Sequence, residues 1–100
     1  MHVRVVRFTD VDPERVQALL QRVQEREGPP EGVPSTGMTF LHDAQQRTAV
    51  VLQYFASAED LAQGARVFEA MDASDTPGTR ASVDACEVKL EVQAPAAAAS

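Results

Sequence analysis

Few side chains in this sequence have the type or spacing to do chemistry. His42 stands beside Asp43, and a neighbouring carboxylate can orient an imidazole and fix its tautomer for acid–base work. Adjacent strand residues point to opposite faces, however, so the two need not touch, and the ordinary reading is a solvent-facing histidine at a hairpin end. Tyr54 can donate a hydrogen bond to a ligand carbonyl or phenolate inside an apolar pocket, or it is a strand aromatic whose hydroxyl is satisfied within the sheet. Arg4 and Arg7 fall on one strand with opposite orientations, so at most one faces any given cavity. There it would hold a carboxylate; otherwise it pairs with an acid of a neighbouring strand. Cys86 shares its strand face with Val88, Leu90 and Val92, opposite Glu87, Lys89 and Glu91, which predicts a small buried hydrophobe rather than a nucleophile. His2 lies at a terminus where chains fray. Two distant histidines and one cysteine have no ligand spacing and there is no CxxC, so neither metal nor cofactor is expected.

Composition narrows the partners. Nine basic against fifteen acidic residues in 100 give a net charge of −6 and a pI near 4.7, so nucleic acid and anionic membrane surfaces would repel the chain. An RNA-binding sheet would need exposed aromatics in a basic surround, and Thr48-Ala49-Val50-Val51-Leu52-Gln53-Tyr54-Phe55 does not supply it. A secretory apolar segment and a bilayer-length apolar run are both missing, and a lone cysteine forms no internal disulfide, so the expectation is a cytoplasmic protein. The absence of Ile, Asn and Trp, with eight Arg to one Lys, is the bias of a GC-rich bacterial genome.

The elements that must position these residues follow from local pattern. His2-Val3-Arg4-Val5-Val6-Arg7-Phe8 is rich in β-branched residues and reads as a strand. Asp12-Pro13 starts a helix with a carboxylate N-cap and proline at the first position. Its stripe is Val16, Leu19, Leu20 and Val23, and it is expected to run to about Glu27 before Gly28-Pro29-Pro30 stops it. Residues 37–42 and 48–55 flank a polar connection and predict a hairpin. Ser57 then caps a second helix with Leu61, Ala65, Phe68 and Met71 on its buried side. The last strand is placed at residues 81–92. Residues 1–93 form one domain and residues 94–100 an alanine-rich tail expected to be disordered. The order strand, helix, strand, strand, helix, strand predicts an α+β, ferredoxin-like βαββαβ fold: a four-stranded antiparallel sheet with two helices on one face.

What covers the other face decides the biology. Val50, Leu52 and Tyr54 oppose Ala49, Val51 and Phe55, Met38 and Phe40 oppose Leu41, and Val3 with Val5 oppose Val6 with Phe8, so both faces carry apolar side chains. Strands at ~4.8 Å spacing and about six residues long present roughly 400 Å² of face, a patch at the limit of what monomers expose. Two helices cannot cover both sides, so a homodimer packed sheet to sheet is expected.

The Phe40-Leu41-His42-Asp43 hairpin end, the run Leu52-Gln53-Tyr54-Phe55-Ala56-Ser57-Ala58-Glu59-Asp60-Leu61 and the closing Val83-Asp84-Ala85-Cys86-Glu87-Val88 resemble the dimeric α/β-barrel superfamily, in particular small antibiotic-biosynthesis-monooxygenase-like domains of bacteria. The resemblance covers roughly residues 3–92. It implies a cavity between sheet and helices, or between two sheets, taking flat aromatic molecules that some relatives oxidise without a cofactor. Such relatives use Asn and Trp, which this chain lacks, so no family catalytic residue is carried over. The expectation is a dimer that binds a small apolar or aromatic molecule in a cavity lined by Phe40, Leu52 and Tyr54, with His42 or Arg7 as polar anchor. A cofactor-independent monooxygenase is one form of this reading. The alternative is a non-catalytic structural or regulatory dimer with a filled core.

Overall fold

A computed structural model describes residues 1–26, 28–70 and 76–94. Its elements are β1 (His2–Thr9), α1 (Pro13–Glu25), β2 (Ser35–Asp43), β3 (Thr48–Phe55), α2 (Ala58–Glu69) and β4 (Thr79–Glu87). The strands form one antiparallel sheet in the order β2-β3-β1-β4, which is the ferredoxin-like α+β arrangement.

Both helices begin where side chains replace the missing backbone partners of their first turns. Asp12 accepts from the Glu14 backbone N–H at 2.9 Å with Pro13 behind it, and Ser57 Oγ accepts from the Asp60 N–H at 3.1 Å. Helix α1 ends at Glu25 because Arg26 turns to an extended conformation, φ −92° and ψ 129°. Position 27, where the sequence pattern ended this helix, lies outside the described residues, as do Met71 and the tail 95–100.

The last strand is shorter than residues 81–92. Among the described residues its sheet neighbour is β1, in which His2 pairs with Glu87. One further bond, from the Val88 N–H to the Met1 carbonyl at 2.9 Å, exhausts that neighbour. Residues 88–94 continue as an arm outside any strand, with Leu90 81% and Val92 78% exposed.

Pairing register assigns the faces. The row Phe40, Val51, Val6, Val83 runs across all four strands; its first three members join Phe8, Val11, Ala49, Val16 and Leu20 in a core beneath α1, while Val83 on the edge strand is exposed. Under α2 a second cluster gathers Val33, Phe55 and Leu61, with Val67 and Phe68 packed against it. Phe55 has no exposed surface, and burial of such a ring is worth roughly 1.5–3 kcal/mol. Gly64 lets α2 come this close, since a Cβ there would stand 2.7 Å from the Phe55 ring. Gly78 has the same role beneath β1, where a Cβ would meet the Thr9 carbonyl oxygen at 2.5 Å.

The alternate rows belong to the face without helices. They are Gly37, Tyr54, Val3, Cys86; then Thr39, Leu52, Val5, Asp84; then Leu41, Val50, Arg7, Ser82. Val5, Val50, Leu52 and Tyr54 are half-buried in the single chain, and Leu41 is exposed.

Candidate functional site

One row of the helix-side face breaks the apolar rule. Met38, Gln53, Arg4 and Ala85 stand in line across the four strands, which sets a cation and an amide opposite each other on the two central strands. Arg4 is 3% and Gln53 7% exposed. Arg4 Nη1 donates to Gln53 Oε1 at 3.0 Å, Nη2 reaches Glu69 Oε1 at 3.4 Å, and the guanidinium carbon lies 4.9 Å from the centre of the Phe68 ring. Arg4 Nε is buried without a hydrogen-bond partner. A charged donor left unsatisfied in an interior is expensive, and such groups cluster where ligands or catalysis require them.

The charge balance around Arg4 is incomplete. Glu69 accepts its shorter bonds, both 3.0 Å, from Arg80, and its contact with Arg4 is the longer one. Burial pushes the Arg4 guanidinium below its ordinary pKa. Glu69 opposes that change, and the Arg80 charge adds to it. The Glu69 carboxyl is held below its ordinary value, chiefly by the hydrogen bond from Arg80; desolvation acts against it, and the charges of Arg80 and Arg4 and the hydrogen bond from Arg4 add to it.

Over this pair lies a cavity of about 310 Å³ between the end of α1, residues 28–37, α2 and the sheet. Its apolar walls include Val23, Pro29, Pro30, Val33, Met38 and Phe68, Arg26 stands among its lining residues, and Gln53 is the buried amide in it. Pockets for small ligands run from about 300 to 1,000 Å³, with mostly apolar walls and a few placed polar groups. Gln53 has its Oε1 taken by Arg4, which leaves the amide N–H groups as its donors to anything bound. Ser35 Oγ is engaged with the carbonyls of Gly37 and Tyr54 at 2.8 and 3.0 Å, so that hydroxyl braces the wall.

The five residues expected from sequence to share one cavity are divided by the sheet. Leu52, Tyr54 and Arg7 project to the face without helices, whereas Phe40 and His42 project to the helix side. Within a strand the alternation was legible; the one-residue offset between neighbouring strands places Phe40 beside Val51 rather than Leu52. Phe40 packs on the α1 core, and His42, exposed at the hairpin end, tilts against its ring with centroids 6.5 Å apart. Tyr54 Oη lies 3.2 Å from Thr39 Oγ1, a hydrogen bond across β2 and β3. Cys86, expected to be buried, is exposed, because β4 is an edge strand and its row neighbour Val3 belongs to the open face.

A second, wider groove of about 450 Å³ lies where the arm passes the end of the sheet, between Met1, Thr36 and Tyr54 and the arm residues Val88, Leu90 and Glu91. Among the described residues no three His, Cys, Asp or Glu side chains gather as a metal site, and no helix is long and apolar enough to cross a membrane. Arg4, Gln53 and Phe68 were not grouped from sequence. The available signal was Gln53 interrupting the apolar run of β3, and its partner followed only from strand pairing. No family model, curated protein or solved structure matches the chain.

Proposed function

We propose that the chain is a small-molecule-binding protein of the dimeric α/β-barrel kind, in which two copies pack their open sheet faces together and each holds one small apolar or aromatic molecule between its helices and its sheet. The observation carrying the binding half is the cavity itself: apolar walls over a buried Gln53 whose acceptor is consumed by Arg4. The Gln53 amide suits holding a ligand, so the reading is binding, with the monooxygenase chemistry of the resembling family as an extension of it.

The dimer half rests on surface arithmetic. Four strands at ~4.8 Å and eight residues at ~3.3 Å give a projected face of roughly 500 Å². A stable interface takes about 800 Å² of accessible surface from each partner, and the side chains standing on a face of this footprint present an area of that order. The arm adds to it, because Leu90, large, apolar and exposed, lies beside the same end of the sheet that carries Tyr54.

Two measurements separate the halves. Sedimentation at micromolar concentration should give the mass of two chains, and Leu52→Asp should halve it; a monomer for the unmodified chain removes the barrel. Titration with indole, 2-naphthol and naphthalene-2-carboxylate, followed by NMR, should shift resonances of Val33, Met38 and Phe68, and Met38→Trp at the cavity rim should abolish the shifts. A dimer that shifts with none of the probes is the filled-core structural dimer instead, a reading favoured by the satisfied Tyr54 hydroxyl on the face between sheets.

A further inference from the structure

The described residues lining the cavity between helices and sheet carry a charge opposite to that of the chain. The protein carries −6, yet none of the described residues lining the cavity is Asp or Glu, and the ionisable one is Arg26. A second cation lies behind the wall: Arg4 touches Gln53 through a hydrogen bond and Phe68 through its ring, and both of those residues line the cavity. Charge in such a place acts through protein rather than through water, so its field reaches the cavity with little screening. Glu69, the carboxylate in contact with Arg4, is committed mainly to Arg80, and Arg4 Nε has no acceptor among the described residues. Gln53 presents donors to the cavity after giving its acceptor to Arg4.

We infer that the ligand of this cavity is an anion, a one- or two-ring apolar body carrying a single ionised oxygen group, bound with that group at Gln53 and its body against Val33, Met38 and Phe68. The inference rests on the binding reading above and adds the ligand's charge to it. Carboxylates and phenolates share this chemistry. The Gln53 amide N–H groups donate to the oxygen, Arg4 polarises that amide from behind through its bond to Oε1, and Arg26 adds a second positive charge at the lining. A neutral ligand of the same shape would gain the apolar contacts and leave the positive field unanswered. Hydrogen bonds to an ionised group are roughly twice as strong as neutral ones, which corresponds to a preference on the order of tenfold.

The test uses the full chain at pH 7 with three probes of one shape: naphthalene-2-carboxylate, naphthalene-2-carboxamide and 2-naphthol, the last neutral at that pH. The carboxylate should bind about tenfold tighter than the carboxamide and shift the Gln53 side-chain amide signals. Raising the pH towards the ionisation of 2-naphthol should tighten that probe alone if phenolates are also accepted, and leave it unchanged if the site takes carboxylates only; either result is read beside the carboxylate preference, which decides the inference. Arg4→Met should erase the preference. If that variant does not fold, Arg26→Gln, at an exposed position, should reduce the preference severalfold with the fold intact. Equal binding of all three probes overturns the anionic ligand and leaves the cavity reading standing, as does a carboxylate preference whose shifts map away from Gln53. Binding of none overturns the cavity reading and this inference together.

Discussion

Arg4 and Gln53 face each other across the two central strands, joined by a 3.0 Å hydrogen bond in the interior of the helix-side face. Neither residue would be buried without the other, because a guanidinium in an apolar layer needs acceptors and an amide needs partners for both of its ends. Replacing Gln53 by Leu removes the acceptor and leaves a second Arg4 nitrogen unsatisfied. The expected loss is about 1–3 kcal/mol of stability, read as a lower denaturant midpoint at unchanged slope. A midpoint equal to that of the unmodified protein would mean that water replaces the amide at no penalty.

Gly64→Ala tests the approach of α2 to the sheet. In an exposed helix interior this change stabilises by roughly 0.5–1 kcal/mol. Here the added methyl would meet the Phe55 ring at 2.7 Å, so overpacking should reverse the sign and destabilise by about 1–3 kcal/mol. Thermal unfolding of the variant decides between the two signs.

Ser57→Ala should cost about 1 kcal/mol through loss of the bond from the Asp60 N–H. The cavity lies away from this cap, so probe affinity should be unchanged. A change in affinity without a change in stability would place Ser57 in binding rather than in capping.

Stability should fall in acid in a way that Glu69→Gln removes. The Glu69 carboxyl is depressed in the folded protein, chiefly by Arg80, so the unfolded chain takes up its proton first as the pH falls. Its contribution is therefore present above the ordinary glutamate range and is lost as the pH drops through that range to the folded value. Denaturant midpoints of the two proteins, measured from pH 7 downwards, should differ most at neutral pH and converge in acid. A difference independent of pH would sink this assignment.

Much of the architecture is set by interactions between near neighbours in the chain. The caps at Asp12 and Ser57, the proline at the first helical position and the alternation within β3 are short-range features, so element order and fold class were legible in the residues themselves. The extent of the last strand was not, since a strand ends where its neighbour ends, and β1 begins at His2. The candidate site was less legible still. Alternation states which residues of one strand share a face, but the face they share with the next strand depends on register, which is fixed by contacts between residues far apart in sequence. Register set Phe40 and His42 on the side opposite Leu52 and Tyr54, and it brought Arg4 to Gln53, 49 positions away. The sequence by itself determined which segments become strands and helices and that both faces of the central strands are apolar. Tertiary structure alone decided that Arg4, turned towards the helices, would meet Gln53 in that layer, because only the packed sheet puts them in line and only the closed core makes their pairing obligatory.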